Sequence, residues 1–564
     1  MLFGILITIV AKIFSLFTPK LIGNLVDVIS NYMSSDRSEV TQFKADLTQN
    51  IALLVAAALL AGIFTFFMRQ TIINVSRYIE YDLKNEIYAQ YQKLSLSFYK
   101  TNRTGDLMSR ISEDVSKVRM YVGPAIMYTM NMVTLFIVAF INMYNKAPSL
   151  TLYIIIPLPL LSASIYYLSK MIHIRSTEVQ QYLSTLSAYT QEAFSGIAIL
   201  KSYAIESLSN EEFQSLANTQ RDKQINLTKV QALFFPLMLL LIGCSNILVL
   251  YVGGKQYMNG TITEFGTIVE FLIYVNMLTW PVATLGWVTS IVQQAEASQQ
   301  RINDFLLVEP SVQNPINESF QIKGQIRFDK VHFTYPDTKI KAINNLSFSI
   351  DAGETLAIIG KTGSGKSSIL DLITRLYDPD SGTVYIDEQD VSKVNLSDLR
   401  SQIGYVTQEA FLFSDSIRNN IRFGRLSASD NDIIEAAKIA DLHNNISSFA
   451  KGYDTLLGER GVTLSGGQKQ RMSIARSVVK NPTILLLDDC LSAVDTKTEE
   501  RILKRLKPII QAKTTIIVSH RISSIKNADH ILVVEDGTVV QSGKHKDLVN
   551  SKGYYQLIYM EQHP

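Results

Sequence analysis

Six apolar runs of membrane-spanning length crowd into the first 300 of the 564 residues, and nothing constrains the fold of this chain more. They centre near Phe14, Leu59, Leu135, Leu160, Leu241 and Val275. A helix needs about 20 mostly apolar residues to cross a hydrocarbon core, so the first half predicts an all-α membrane domain with both ends on one side. Lys and Arg collect on the cytoplasmic side of such a domain. The connection between the second and third runs carries nine of them: Arg69, Arg77, Lys84, Lys93, Lys100, Arg103, Arg110, Lys117 and Arg119. That between the fourth and fifth carries six: Lys170, Arg175, Lys201, Arg221, Lys223 and Lys229. The other three share four, Arg37, Lys44, Lys146 and Lys255. The two long connections are therefore assigned to the cytoplasm. They are polar and apolar-periodic without obvious Pro breaks, so the helices are expected to run well past the bilayer. No Lys or Arg precedes Leu2–Phe17 and no small-residue cleavage pattern closes it, so it reads as a span and not as a removed leader.

Charged residues make up 18% of the chain, against about 25% in a soluble domain. The net charge of +2 and the lack of long basic runs argue against a nucleic-acid partner. An apolar content of 47% excludes disorder. Two cysteines, Cys244 and Cys490, provide neither a disulfide framework nor a paired-Cys metal site. A Pro-containing stretch at Glu309–Pro315 reads as a linker. Beyond it, short β-rich runs (Ile326–Phe333, Leu356–Ile359, Thr383–Ile386, Ile484–Leu487, Thr515–Val518, His530–Val534) alternate with helical segments, which predicts a mostly parallel α/β domain. The expected organisation is a membrane domain over 1–300, a linker over 301–321 and an α/β domain over 322–564.

Gly360-Lys361-Thr362-Gly363-Ser364-Gly365-Lys366-Ser367 lies between an expected strand and an expected helix, as a phosphate-binding loop requires. Its glycines let backbone N–H groups curl around phosphates. Lys366 brings charge to the outer phosphates, Ser367 reaches Mg²⁺, and the following helix dipole favours the anion. Ile484-Leu485-Leu486-Leu487-Asp488 supplies the other half, an apolar strand delivering a carboxylate that can hold Mg²⁺ directly or through water.

Between these elements lies Leu464-Ser465-Gly466-Gly467-Gln468, and with it the region resembles the nucleotide-binding domain of ABC transporters. Other elements match in order. Tyr335 is similar to the aromatic that stacks on adenine, Gln408 to the Q-loop glutamine, Ser492-Ala493-Val494-Asp495 to the D-loop, and His520 to the switch histidine. The resemblance implies ATP contacts at Tyr335 and from Gly360 to Ser368, and Mg²⁺ ligands Ser367, Gln408 and Asp488. It implies catalytic roles for Asp489, His520 and Gln408, and a head-to-tail sandwich in which Ser465, Gly466, Gly467 and Gln468 contact a partner's ATP. One such domain and six spans make a half-transporter, so a second half-transporter is required. In the membrane half, Phe98-Tyr99 with Thr104–Arg110 resembles the first coupling segment of the exporter branch, and Gln191–Tyr203 the second. By resemblance both dock near Gln408 and Phe411-Leu412-Phe413. Exporters of this type usually open with a short amphipathic helix, whereas here Met1 leads almost directly into the apolar run.

One departure concerns catalysis. Where ATPase-competent members typically carry Glu, the general base, this chain has Asp489, whose stem is one methylene shorter. Misplacing a catalytic group by ~1 Å costs on the order of 10²-fold in rate. The expectation is a reduced-activity site within a heterodimer whose partner supplies the glutamate. A homodimer, or a regulatory subunit that binds ATP with little hydrolysis, are the alternatives.

Ionisable residues inside spans are functional suspects. Lys12 stays open between structure and cargo contact, while Glu270 reads as a snorkelling residue near the interface. Trp280 with Pro281, and Trp287, read as an interfacial aromatic pair and a kink. Met127, Tyr128, Met130, Met132, Phe234, Phe235 and Met238 read as packing or lipid-facing residues. No charged cluster in the spans suggests an ionic cargo, so elimination favours a hydrophobic or amphipathic small molecule or lipid. The expected protein is a multi-pass exporter of the bacterial cytoplasmic membrane, surrounded by lipid, with its ATPase domain in the cytoplasm.

Overall fold

The computed structural model describes residues 1–34, 40–314, 318–458, 461 and 463–562, without side chains at 158, 161, 162, 241, 280, 282 and 283. Arg37, Pro315 and the side chains of Leu241 and Trp280 lie outside the described residues. The chain divides into two units, residues 1–90 with 107–307, and residues 91–106 with 308–564.

The first unit is all helical. Among the described residues, five helices are long and apolar enough to cross a membrane: Leu2–Ser34, Val40–Lys93, Thr104–Lys146, Glu206–Met258 and Gly266–Leu306. The remaining expected span, the fourth, is also helical, broken at Ile156 into Pro148–Ile155 and Pro157–Ser195. Proline tolerates the first turn of a helix because its missing N–H has no partner there. The 54 residues of Val40–Lys93 rise about 80 Å at ~1.5 Å per residue, far beyond a hydrocarbon core of about 30 Å. The expected cytoplasmic extensions are therefore real helix.

Small residues and two carboxylates set the helix packing. A Cβ added to Gly266 would lie 2.0 Å from the carbonyl oxygen of Gly23, so the first and last spanning helices touch backbone to backbone. Asp27 accepts the Gly266 N–H at 2.6 Å, satisfying an orphan donor at the helix start. Under this contact Glu270 is only 4% exposed and is hydrogen-bonded to Tyr274. It is thus not the snorkelling side chain its sequence position suggested, because Gly23 lets the neighbouring helix close over it. Lys12 is half-buried. Toward the other end of the last helix, Asp114 is buried and accepts from Ser298 at 2.9 Å and from Arg301 Nε at 3.2 Å. Trp287 stands edge-on to Tyr128, their ring centroids 5.4 Å apart.

Among the described residues the second unit holds ten strands: β1 (Ile326–Thr334), β2 (Lys341–Ile350), β3 (Thr355–Ile359), β4 (Ser381–Ile386), β5 (Gln389–Asp390), β6 (Ile403–Val406), β7 (Ile484–Asp488), β8 (Thr514–Val518), β9 (His530–Glu535) and β10 (Thr538–Gly543). A six-stranded sheet runs in the order β10-β9-β3-β8-β7-β6, parallel except at its β10 edge. Strands β3, β7 and β8 are buried at every position, as strands covered on both faces must be. The other four strands form an antiparallel sheet, β2-β1-β4-β5, which corrects the expectation of a mostly parallel domain. Its β4–β5 hairpin turns through Asp387 and Glu388, both at positive φ, a geometry that usually advertises itself with Asn or Gly. Two apolar cores result. One packs Phe328, Val331 and Ile343 against Leu356 and Ile358 of β3, and the other packs Ala357 and Ile359 against helical residues such as Ile421, Met472 and Ile474.

Substituting Gly266→Ala forces apart the backbones that meet at Gly23. An overpacking cost of about 1–3 kcal/mol is expected, read as a lowered midpoint of thermal unfolding in lipid nanodiscs, whereas Gly254→Ala, with open space at its Cβ, leaves it unchanged.

Candidate functional site

The parallel sheet gathers the expected nucleotide chemistry at one edge. Strand β8 lies between β3 and β7, with Val518 beside both Ile358 and Asp488. The phosphate loop after β3, the carboxylates ending β7 and His520 just after β8 therefore emerge together, at the carboxyl ends where open α/β sheets place ligands. The glycines act by making room. A Cβ on Gly360 would meet the Val534 carbonyl oxygen at 2.1 Å, and one on Gly365 would meet that of Ala342 at 2.1 Å, with φ at +94° besides. The loop is thereby pinned between β9 and β2, and the helix Lys366–Ile373 starts directly from it. That start is one residue earlier than the expected opening at Ser367.

The polar atoms of this loop fit an anion. Lys366 is buried and donates through Nζ to the carbonyl oxygens of Gly360 at 2.9 Å and Lys361 at 2.7 Å, so its charge has only neutral partners there. Ser364 is buried too, and its Oγ has no hydrogen-bond partner among the described residues. Burial lowers the Lys366 pKa, opposed by the nearby carboxylates of Asp488 and Asp489. Asp488 is raised by burial and accepts the Ser367 hydroxyl. Two hard oxygen donors side by side suit Mg²⁺, which takes one or two protein groups and fills its remaining positions with phosphate oxygens and water. Lys361 is paired with Glu535 at 2.9 Å at the surface, and Thr362 and Gly363 form the exposed crest of the loop.

Asp489 sits at φ +42°, half-buried, with its backbone N–H on Val518 O at 2.9 Å. Its carboxylate is raised by burial, against the stabilising charge and backbone N–H of His520 and the Ser492 hydroxyl. His520 is lowered by burial and by Lys366. Asp489 and His520 are thus in contact, each pushed toward its neutral form. Gln408 follows β6 and is exposed.

Ser465 caps the helix Gly466–Val479 in a reciprocal box, its Oγ accepting the Gln468 N–H at 3.3 Å while Gln468 Oε1 accepts the Ser465 N–H at 2.9 Å. Gly467 packs 2.8 Å, measured from an added Cβ, from the D-loop carbonyl of Ala493. Asp495 ends the D-loop by capping the next helix through the Thr498 N–H at 3.0 Å.

Tyr335 hydrogen-bonds Ser368 at 2.8 Å, which ties the aromatic to the phosphate-loop helix. The ammonium of Lys100 stands 4.7 Å from its ring centroid and 5.3 Å from that of Tyr377. Lys100 belongs to Leu96–Thr101, the helix that carries Phe98-Tyr99, and Leu96 joins the core beside Tyr335 and Leu376. The helix carrying Phe98-Tyr99 therefore lies at the aromatic site. Phe411 and Phe413 are exposed and meet edge-on, and Phe413 lies beside Phe423 and Arg476. Also unforeseen was Asp371, bonded to Tyr405 at 3.2 Å and raised by burial to about 6.

Residues 1–282 match the ABC transporter transmembrane region family, and residues 343–492 the ABC transporter family. A multidrug resistance-like ATP-binding protein of Buchnera aphidicola is 33% identical over 99% of this chain and 95% of its own length. An ATP-dependent lipid A-core flippase of Syntrophus aciditrophicus is 34% identical over 90% of this chain and 84% of its own. Among solved structures, a bacterial Atm1-family ABC exporter with ATP bound superposes at a TM-score of 0.81, 26% identical, covering 100% of this chain and 98% of the other.

Crowding at Gly360 is expected to matter more than charge at Lys361. Gly360→Ala is predicted to weaken MgATP binding about tenfold or more, the equivalent of ~1–3 kcal/mol of overpacking, whereas Lys361→Ala leaves it unchanged. Equilibrium binding of a fluorescent ATP analogue distinguishes the two.

Proposed function

Since this chain belongs to the ABC transporter family, in its fused exporter form, we propose that it is one half of a dimeric, ATP-driven exporter whose own nucleotide site turns over slowly. The family makes it a multi-pass membrane protein that couples ATP hydrolysis to transport. The observation that carries the finer reading is Asp489. It follows directly on the strand that ends in Asp488 and touches His520, which supports reading it as the general base on a stem one methylene short. Its backbone is held to Val518 and its carboxylate to the His520 N–H, so it has little freedom to advance.

In the proposed cycle the loop from Gly360 to Ser368 binds the phosphates, Lys366 exchanging its carbonyl contacts for phosphate oxygens, and Tyr335 stacks on adenine. Ser367, Gln408 and Asp488 would hold Mg²⁺, which neutralises charge on the outer phosphates. Asp489 takes the proton of the attacking water, and His520 orients the γ-phosphate. The N-terminus of Gly466–Val479, with Ser465, Gly466, Gly467 and Gln468, is presented to the nucleotide of a second chain. That chain is a half-transporter bearing Glu at the base position; a homodimer is the simpler assembly. ATP binding closes the nucleotide domains and hydrolysis resets them, which requires that the two global states differ in nucleotide affinity.

The cargo is proposed to be hydrophobic or amphipathic, a lipid or drug-like molecule taken from the cytoplasm or inner leaflet of a bacterial cytoplasmic membrane. The names of the two relatives agree with that class. If Asp489 serves only to hold nucleotide, the chain is instead a regulatory subunit.

Steady-state ATPase of the purified chain in lipid decides between these. Asp489→Glu is expected to raise turnover about 10- to 100-fold, and Lys366→Ala to abolish it. Robust wild-type turnover that Asp489→Glu leaves unchanged would overturn the slow-site reading, while no turnover in either would favour the regulatory subunit. The pH profile gives a separate check. Asp489 must be ionised to act and its pKa is raised, so residual turnover is expected to fall on acidification at a pH above the ~4 of an ordinary aspartate. That limb should be absent from Asp489→Asn.

A further inference from the structure

Glu499 is a carboxylate that the nucleotide chemistry leaves unused, yet it is only 1% exposed. It lies on the helix Thr496–Ile510, one turn past the D-loop. Among the described residues, its side-chain donors come from the four residues after His520. Arg521 pairs with Oε2, Ser523 donates to Oε1 at 3.1 Å, and Ser524 donates to Oε1 at 2.5 Å. Arg521 then spans the D-loop backbone, donating through Nη1 to Val494 O at 3.3 Å and through Nη2 to Ser492 O at 3.2 Å.

From the other side the D-loop is gripped by the helix that the signature opens. Gln470, also buried, donates to Ser492 Oγ at 3.2 Å and accepts the Ala493 N–H at 3.0 Å. Ser492 Oγ in turn donates to Asp489 O at 2.9 Å, and Asp489 accepts the His520 N–H. Signature helix, D-loop, post-histidine segment and Asp489 thus form a closed ring of polar contacts, with Glu499 and Arg521 as its buried ion pair. A buried ion pair adds little stability compared with apolar residues of the same volume. What it supplies is a fixed geometry, because a planar guanidinium with several donors can hold a carboxylate and two carbonyls at once.

We propose that Glu499 and Arg521 are positioning residues that lock the D-loop and the switch histidine to the signature helix. Movement of the signature at the partner's nucleotide is then transmitted to His520 and Asp489 at this chain's own nucleotide. The transmission rests on the reading of the signature as facing a second chain; the lock itself does not.

Hydrogen exchange of the full chain in nanodiscs, without nucleotide, reads the lock directly. Glu499→Gln keeps the shape and removes the charge, and is expected to speed exchange over 490–496 and 519–525 together while 355–370 is unaffected. Arg521→Lys keeps the charge but loses the fork, so exchange should rise over 490–496 and not over 521–524. In the Asp489→Glu background, Glu499→Gln is expected to lower kcat on the order of tenfold with KM unchanged. Exchange that rises only around 496–500, or throughout the domain including 355–370, would overturn the proposal, as would an unchanged kcat. Failure of the two-chain reading looks different: MgATP would then leave exchange over 465–470 unaltered in the wild-type chain.

Discussion

The carbonyl oxygens of Val534 and Ala342 stand where side chains at positions 360 and 365 would have to be, and the nucleotide chemistry depends on that crowding. Because β9 and β2 press on the loop from two sides, its backbone has one available path, and that path aims N–H groups and the start of a helix at a single point. Everything else at the site is placed relative to it. Parallel pairing of β3 with β8, and of β8 with β7, delivers His520 and the two carboxylates to the same edge without further adjustment.

Within that edge the charges are poised against one another. Burial opposes the ionised forms of Lys366, Asp488 and Asp489 alike. Lys366 leans on two backbone carbonyls and Asp488 on the Ser367 hydroxyl, partners that a phosphate chain with its cation replaces with stronger ones. Binding energy is thus available from groups already desolvated in the folded chain. On the aromatic side of the site, Lys100 lies over the same Tyr335 that is bonded to Ser368.

Much of this was legible in the sequence because the chemistry is written in contiguous motifs. Gly360 to Ser367, Ile484 to Asp488 and Leu464 to Gln468 each carry their own local context, and the structure sets them on the loop, strand and helix start they imply. Apolar runs likewise marked the spanning helices. Contacts between distant residues with no local signature were hidden. The antiparallel sheet turns through Asp387-Glu388, which no turn rule flags. Lys100 is one basic residue among nine in its connection, and Glu499 stands beside Glu500 with nothing to show which is buried. Glu270 was misplaced for the same reason, since only the approach of Gly23 makes it interior.

The central claim is that a nucleotide site of this protein is completed by a second chain. Mixing two disabled chains tests it most directly, both in the Asp489→Glu background, one bearing Lys366→Ala and the other Ser465→Arg. An intact phosphate loop in the second can then meet an intact signature in the first, so the account predicts that the mixture recovers ATPase activity absent from either chain alone. A mixture no more active than its two components would contradict it.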